Sequence, residues 1–381
     1  MASKPQTHSD FLVIGAGIAG LSLAARLAEH GRVIVLEAES APGYHASGRS
    51  VAFAHFGLGE KIVRTLTAMS LAELAAPPTD DRAPYARPHP ALHIARADQS
   101  EALDALKVVH ESFGCDCVRL SWDEVRAIIP SLKIGPDYVH EALLDRSALK
   151  LDTDAMLQGH LRDLRANGGT LVCGARVSAI SRQDDIWTVE TGIGAFSAPT
   201  LINAAGAWAD EVARMAGAKP VGIEPRRRTV IAFASPPNTR TADWPFVKTV
   251  GEGFYVLPEG SQQLLASPQD EGASEPCDAA PEEIDIATIA HRVEVATEIT
   301  VGRIAHSWAG LRSFAPDELP VVGYAPDKPG FFWFAGQGGY GFQTSPALAQ
   351  IGAALAMRGD LSPKFEESGI NSALFAPDRF F

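Results

Sequence analysis

At 381 residues the chain is longer than one small core requires and suits two domains. Hydrophobic residues at 46% and charged residues at 21% describe an ordinary globular protein. A net charge of −13, from 33 basic against 46 acidic residues, argues against a nucleic-acid partner and says nothing about fold.

The N-terminal stretch is the most informative. Phe11-Leu12-Val13-Ile14 has the length of a buried strand, Gly15-Ala16-Gly17-Ile18-Ala19-Gly20 turns the chain, and Leu21 to His30 continue as an Ala/Leu-rich helix. Gly31 stands where a helix C-terminal glycine is expected. Val33 to Leu36 form a second strand, closed by Glu37 and Ala38, with Glu37 22 residues after Gly15. The glycines differ in what they allow. Gly15 makes the tight turn, Gly17 admits a pyrophosphate to the backbone, and Gly20 lets helix and strand pack. The helix N-terminus offers free N–H groups and the positive dipole end to phosphates. Glu37 can accept from both ribose hydroxyls, which disfavours a 2′-phosphate. Strand, glycines, helix, strand and acid in register specify a dinucleotide site.

Pro42-Gly43-Tyr44-His45-Ala46-Ser47-Gly48-Arg49-Ser50 follows as a loop with no helical or strand period, able to lie against a flat ligand. Arg49 and Ser50 are expected at pyrophosphate and ring-nitrogen positions. Ile62 to Ala75 reads as a helix, Pro77 to Pro90 as a proline-rich connector, Leu92 to Ala95 as a strand, and Glu101 to Phe113 as a helix. Ser121 and Glu124 form a capping box for a helix that Pro130 stops. His89 and His93 are four residues apart among prolines, and are expected to be structural or surface residues rather than metal ligands. The four cysteines, Cys115, Cys117, Cys173 and Cys277, form no CxxC pair and read as free thiols; no metal site is expected.

Asp152-Thr153-Asp154 caps a helix running to Ala166, and strands follow at Thr170–Cys173, Arg176–Ile180, Ile186–Glu190 and Thr200–Asn203. The last enters Ala204-Ala205-Gly206-Ala207-Trp208, a second place for close backbone approach, so the dinucleotide domain is discontinuous. Arg226-Arg227-Arg228 precedes an apolar strand, Val230–Phe233; a solvated basic cluster is the plain alternative. Gly253–Leu257 and Leu264–Ala266 form a hairpin around Gly260, and Ile284–Glu298 an amphipathic helix after an acidic loop. Trp308-Ala309-Gly310-Leu311-Arg312-Ser313-Phe314 sets one arginine in an apolar strand with no carboxylate nearby until Asp317. A buried arginine needs an anion, either a bound carboxylate or a structural ion pair. After the strand Phe331–Ala335, Gly336 to Ser345 is a second glycine-rich loop leading into a helix with Pro346 in its first turn, another nest for an electron-rich group.

Together FLVIGAGIAG…VIVLE, PGYHASGRS, LINAAGAWAD, WAGLRSF and AGQGGYGFQTS resemble the D-amino-acid oxidase/glycine oxidase superfamily of FAD enzymes, within it most the broad-specificity bacterial D-arginine dehydrogenases. The resemblance implies an α/β fold with an α+β second domain: a glutathione-reductase-like FAD-binding domain (1–80, 150–220, 315–381) and a substrate domain on a large mixed sheet (81–149, 221–314). It places Gly15, Gly17, Ile18, Ala19, Gly20, Glu37, Ala38 and Val177 at the ADP moiety of non-covalent FAD. Ser47, Gly48, Arg49, Ser50, Ala205, Gly206 and Trp208 fall near the rest of it. So do Gly310, Gly338, Gly339, Tyr340, Gly341, Phe342, Gln343 and Thr344. Arg312 is expected to grip the substrate carboxylate, helped by Arg228 and the hydroxyls of Tyr255 and Tyr324. The Gly310 carbonyl accepts from the α-amine, with Gln343 close by.

The implied activity is oxidation of D-amino acids to 2-oxo acids and ammonia by hydride transfer to flavin N5. The relatives' guanidinium-binding acid, histidine and tyrosine align with Ala91, Phe53 and Leu58, so apolar D-amino acids are expected ahead of D-arginine. Gly310, where covalent flavoproteins carry cysteine, argues against a covalent link. Ala266, where sarcosine-type oxidases carry an oxygen-activating lysine, favours a dehydrogenase with a quinone or other acceptor. Oxidation of glycine, an N-methyl amino acid, a proline-type amine or a 2-hydroxy acid remains the alternative, as does a non-catalytic flavoprotein subunit. The first ten residues lack an apolar signal core and no run of eighteen apolar residues occurs. A cytoplasmic protein is expected, with peripheral contact to the inner membrane left open.

Overall fold

The computed structural model describes residues 7–381. Met1–Gln6, the larger part of the N-terminal stretch that lacks a signal core, lies outside them. The opening strand Phe11–Ile14 is central in a six-stranded sheet. In spatial order the strands are Val321–Tyr324, Phe331–Ala335, Thr200–Asn203, Phe11–Ile14, Val33–Leu36 and Thr170–Val172. All neighbours are parallel except the first pair, which is antiparallel. Such strands are near-continuous in apolar residues because both faces are covered. One face (Val13, Val35, Ile202, Phe332, Phe334) packs on the helices Ile18–Leu27, Thr153–Ala166 and Gly341–Ala356. The other (Leu12, Ile34, Leu201, Trp333) packs on the helix Ala209–Met215 and a small antiparallel sheet through Trp187, Val189 and Phe196.

A nine-stranded mixed sheet carries the residues between. From Gly272–Ala273 it runs through Glu224–Ala234, Gln263–Ser267, Tyr255–Glu259, Phe246–Thr249, Ala91–Ala95 and Glu141–Asp145 to Cys117–Leu120. Ile304–Phe314 also pairs with Glu224–Ala234. Strand residues alternate between faces. Leu92, Ile231, Phe233, Val247, Val256 and Ala266 face Ile289 and Val293 of the helix Glu283–Ala296. Ala91, Val230, Phe246, Tyr255 and Leu265 face the other way, with Phe53 against them.

Several expectations need correction. The first helix starts at Ile18, directly after Gly17, and ends at Leu27. Gly31 lies beyond its end; a Cβ there would press on Asp10 and the Phe11 ring, so its small size serves packing. The last helix begins at Gly341, so Pro346 sits inside it rather than in its first turn. The Phe342 carbonyl that Pro346 cannot serve accepts from the Ser345 hydroxyl at 3.0 Å. Of the two readings of His89 and His93, structural or surface, burial of both favours the structural one. The strand Phe246–Thr249 has no counterpart among the elements expected from the sequence.

Candidate active site

A cleft of about 1110 Å³ runs from the N-terminal glycines to the nine-stranded sheet. Gly15 has φ +104°, and a Cβ on it would lie 2.5 Å from the Ala204 carbonyl oxygen, so only glycine makes this turn. A Cβ on Gly20 would lie 1.9 Å from the Gly15 oxygen. That residue is buried packing and does not line the cleft. The Ile18 N–H donates to Ser47 Oγ at 2.9 Å, tying the helix start to the second loop. The Glu37 carboxylate accepts from the Ala16 N–H at 2.8 Å and the Glu39 N–H at 2.9 Å, which holds it on the cleft wall. Gly17, Ile18, Ala19, Ala38 and Val177 line this end.

Further along, Ser47, Arg49, Ser50, Ala205, Gly206 and Trp208 line the middle. Gly48 does not; its N–H donates to the Gly43 carbonyl at 2.6 Å, closing the turn. The Arg49 guanidinium is not free for a pyrophosphate. It donates to the carbonyls of Ala279 and Ala309 at 2.8 and 2.9 Å and pairs with Asp278, fastening loop to sheet. Gly338, Gly339, Tyr340, Gly341, Phe342 and Gln343 line the third side, where the last helix presents its N-terminus. Gln343 Nε2 donates to Thr67 Oγ1 at 2.8 Å. Thr344 points away, its hydroxyl donating to the Tyr340 carbonyl at 2.9 Å.

The strand register decides what meets at the far end. Arg226 pairs with Arg312 and Arg228 with Gly310, which puts both Arg228 and Arg312 on one face. Val230 and Ser267 continue that face, Ser267 pairs with Tyr255, and Tyr255 with Lys248. Arg227 points oppositely, to Glu282 and Asp285. The arginine triplet is therefore an ion-paired part of the sheet rather than a solvated cluster. Arg228 donates to Glu271 Oε1 at 3.0 Å, and Arg312 donates to the same oxygen at 2.9 Å. Glu271 is exposed, and its carboxylate lies between the two guanidiniums. Burial, then the neighbouring Arg228 charge, lowers Arg312 to about 10, leaving it charged at neutral pH. Gly310 lines the cleft beside them.

A sequence profile of the family described as FAD dependent oxidoreductase (DAO) matches residues 10–355. The chain belongs to that family. It is 25% identical over 228 residues to the hydrogen cyanide synthase subunit HcnC of Pseudomonas aeruginosa, covering 59% of this chain and 52% of the relative. It is 26% identical over 378 residues to the mitochondrial dimethylglycine dehydrogenase of Mus musculus, covering 89% of this chain and 41% of that protein. The chain thus spans about half the length of these curated relatives, at 52% and 41%. Its fold matches that of L-proline dehydrogenase from P. horikoshii with a TM-score of 0.82 at 20% identity, covering 98% of each chain.

The cofactor of this oxidoreductase is FAD, and the cleft fits it. The turn at Gly15 has no room for a side chain, Glu37 is fixed at the end of its strand, and two helix N-termini open onto one cavity. Besides Gly20, Gly48 and Thr344, an expected substrate residue falls elsewhere. Tyr324 lies in the six-stranded sheet, its hydroxyl donates to the Ala356 carbonyl at 2.6 Å, and it does not line the cleft. Sequence reasoning missed Lys248, Glu271, Phe246 and His55, which all line it. A lysine between Val247 and Thr249 in a strand-like run was a usable signal for the first; Glu271 carried none. Ala266 faces the helix Glu283–Ala296, so its lack of an amine says nothing about the cleft, where Lys248 supplies one.

Proposed function

We propose that this FAD-dependent oxidoreductase oxidises D-amino acids to imines that hydrolyse to 2-oxo acids and ammonia, taking apolar side chains ahead of D-arginine. The observation that carries this reading is the Arg228–Arg312 pair, bridged by one carboxylate oxygen of Glu271 above an apolar wall. A substrate carboxylate displaces Glu271 and takes both guanidiniums with help from the Tyr255 hydroxyl, while the Gly310 carbonyl accepts from the α-amine. Burial against Phe53 and Phe246, stacked at 4.5 Å, excludes water and favours the neutral amine from which hydride departs. Bound FAD supplies the two-electron acceptor for that hydride. Gly15, Gly17, Glu37 and Val177 would hold its ADP half, and Gly206, Trp208 and the segment Gly338–Gln343 its ring half. Electrons then pass to a quinone or another acceptor.

Where the relatives carry their guanidinium-binding acid, this chain has Ala91. Ala91 is buried in the apolar wall with Phe53, and Lys248 adds a like charge. An unpaired guanidinium there costs about 3–5 kcal/mol, a factor of at least about a hundred in kcat/KM. The test is anaerobic mixing of the FAD-loaded protein with D- and L-amino acids, N-methyl amino acids and 2-hydroxy acids, following flavin bleaching. Bleaching by D-alanine- or D-leucine-type substrates ahead of D-arginine supports the reading, and a profile led by D-arginine overturns it. The dimethylglycine dehydrogenase relative favours a second reading, oxidation of an N-methyl or other small amine on the same clamp, which bleaching by those substrates alone identifies. Absence of any bleaching moves the choice to a partner-dependent subunit, in keeping with the HcnC relative.

A further inference from the structure

We infer that Lys248 forms a second anion subsite at the side-chain end of this cleft, so that among substrates with a polar side chain the site favours a distal carboxylate over its neutral amide, while the apolar wall still takes apolar side chains ahead of D-arginine. The inference rests on the D-amino-acid reading for the identity of the substrate, and on the sheet for its geometry. Lys248 and Arg312 share a face, but the strands Glu224–Ala234, Gln263–Ser267 and Tyr255–Glu259 separate theirs. At about 4.8 Å per strand step the two backbones stand roughly 19 Å apart, but both long side chains line one cleft and lean to the same short segment, Lys248 to Gln269 and Arg312 to Glu271, two residues further on. A molecule whose α-carboxylate lies on Arg312 therefore extends its other end toward Lys248.

Lys248 has no carboxylate partner among the described residues. Among the described residues its ammonium forms no ion pair within 4.0 Å and donates to the neutral Gln269 Oε1 at 2.7 Å. Glu271 acts on it only from further away, its Oε1 being engaged by Arg228 and Arg312. Asp270 is taken up by the Thr229 N–H at 3.0 Å and by Arg228. The carboxylates of Asp270 and Glu271 are thus ion-paired to Arg228 and Arg312, while Lys248 holds only a neutral amide. His55 and His93, beside Lys248, are held neutral, first by burial and also by the lysine charge. Neither supplies the missing anion. A negative ligand would stabilise a buried ammonium with donors to spare, and no acid is available from Ala91, two residues from His93, the register partner of Lys248.

The test compares glutarate with glutaramate, which differ in charge and hydrogen bonding at one end only, as ligands of the FAD-loaded protein followed through the flavin visible spectrum. Glutarate is expected to bind roughly tenfold or more tightly, the worth of one charge-assisted hydrogen bond. Lys248→Met should abolish that preference while leaving glutaramate affinity within about twofold, and Lys248→Arg should restore part of it. In turnover, the ratio of kcat/KM for D-glutamate over D-glutamine should fall by the same factor in Lys248→Met. Equal binding of the two probes by the wild-type protein overturns the inference without recourse to a variant, as does equal weakening of both by Lys248→Met. Glutarate preference without flavin bleaching by any D-amino acid keeps the anion subsite and discards the D-amino-acid reading.

Discussion

Glu271 holds both clamp arginines through one oxygen while remaining exposed. An internal carboxylate in that place competes with the substrate, and apparent affinity falls by the fraction of time the clamp is free. Glu271→Ala should lower KM for amino acid substrates about three- to tenfold with kcat little changed, measured by steady-state kinetics. Arg312→Lys should act oppositely. A bidentate planar donor is lost, and kcat/KM should drop about a hundredfold, roughly 3 kcal/mol. Lys248 adds a pH dependence. Burial, then the charges of Arg228 and Arg312, push its amine down to about 8. The cation is complete well below that value and lost above it, so glutarate affinity should hold near neutral pH and weaken as pH rises through about 8. Glutaramate serves as the control. Of the groups facing Lys248, His55 and His93 titrate well below this window and Arg312 above it, while Arg228 and Glu271 are the other charges.

At the scale of the element, the first helix depends on a contact between two glycines. A methyl at Gly20 would meet the Gly15 oxygen at 1.9 Å, so Gly20→Ala must push helix from strand. We expect a loss of about 1–3 kcal/mol in thermal unfolding and a reduced FAD content after purification. The last helix shows a compensation of another kind, with Ser345 supplying the hydrogen bond that Pro346 withholds from the Phe342 carbonyl. The sequence points to a helix start at Pro346 because a proline is best tolerated in the first turn. The hydroxyl one residue earlier allows the helix to begin at Gly341 and aim its N-terminus at the cleft. Hairpin and capping signals were legible by contrast, since Gly260 and the Ser121–Glu124 box act through neighbouring residues alone.

The molecule as a whole places its cleft where the chain passes repeatedly between two sheets. Residues 11–36, 170–203 and 321–335 supply the six-stranded sheet, and 91–145 and 224–314 the nine-stranded one. Residues of both sheets line the cleft, so FAD bound there would couple cofactor binding to global stability. Stripping it should lower Tm, and restoring it at about a hundred times its dissociation constant should return about 2.7 kcal/mol. Among the described residues no helix is long and apolar enough to cross a membrane.

What the sequence determined by itself is local: the turn at Gly15, the acid at Glu37, the helix caps, and the presence of one arginine in an apolar strand. Each follows from steric or hydrogen-bonding rules acting over a few residues. The tertiary structure alone decided the partners. Glu271 reaches Arg312 across 41 positions, Lys248 enters the cleft through the order and register of strands distant in sequence, and Tyr324 leaves it because its strand belongs to the other sheet. Side-chain meetings of this kind depend on which strands become neighbours. Strand order is set by the burial of whole sheet faces, which no short stretch of residues encodes.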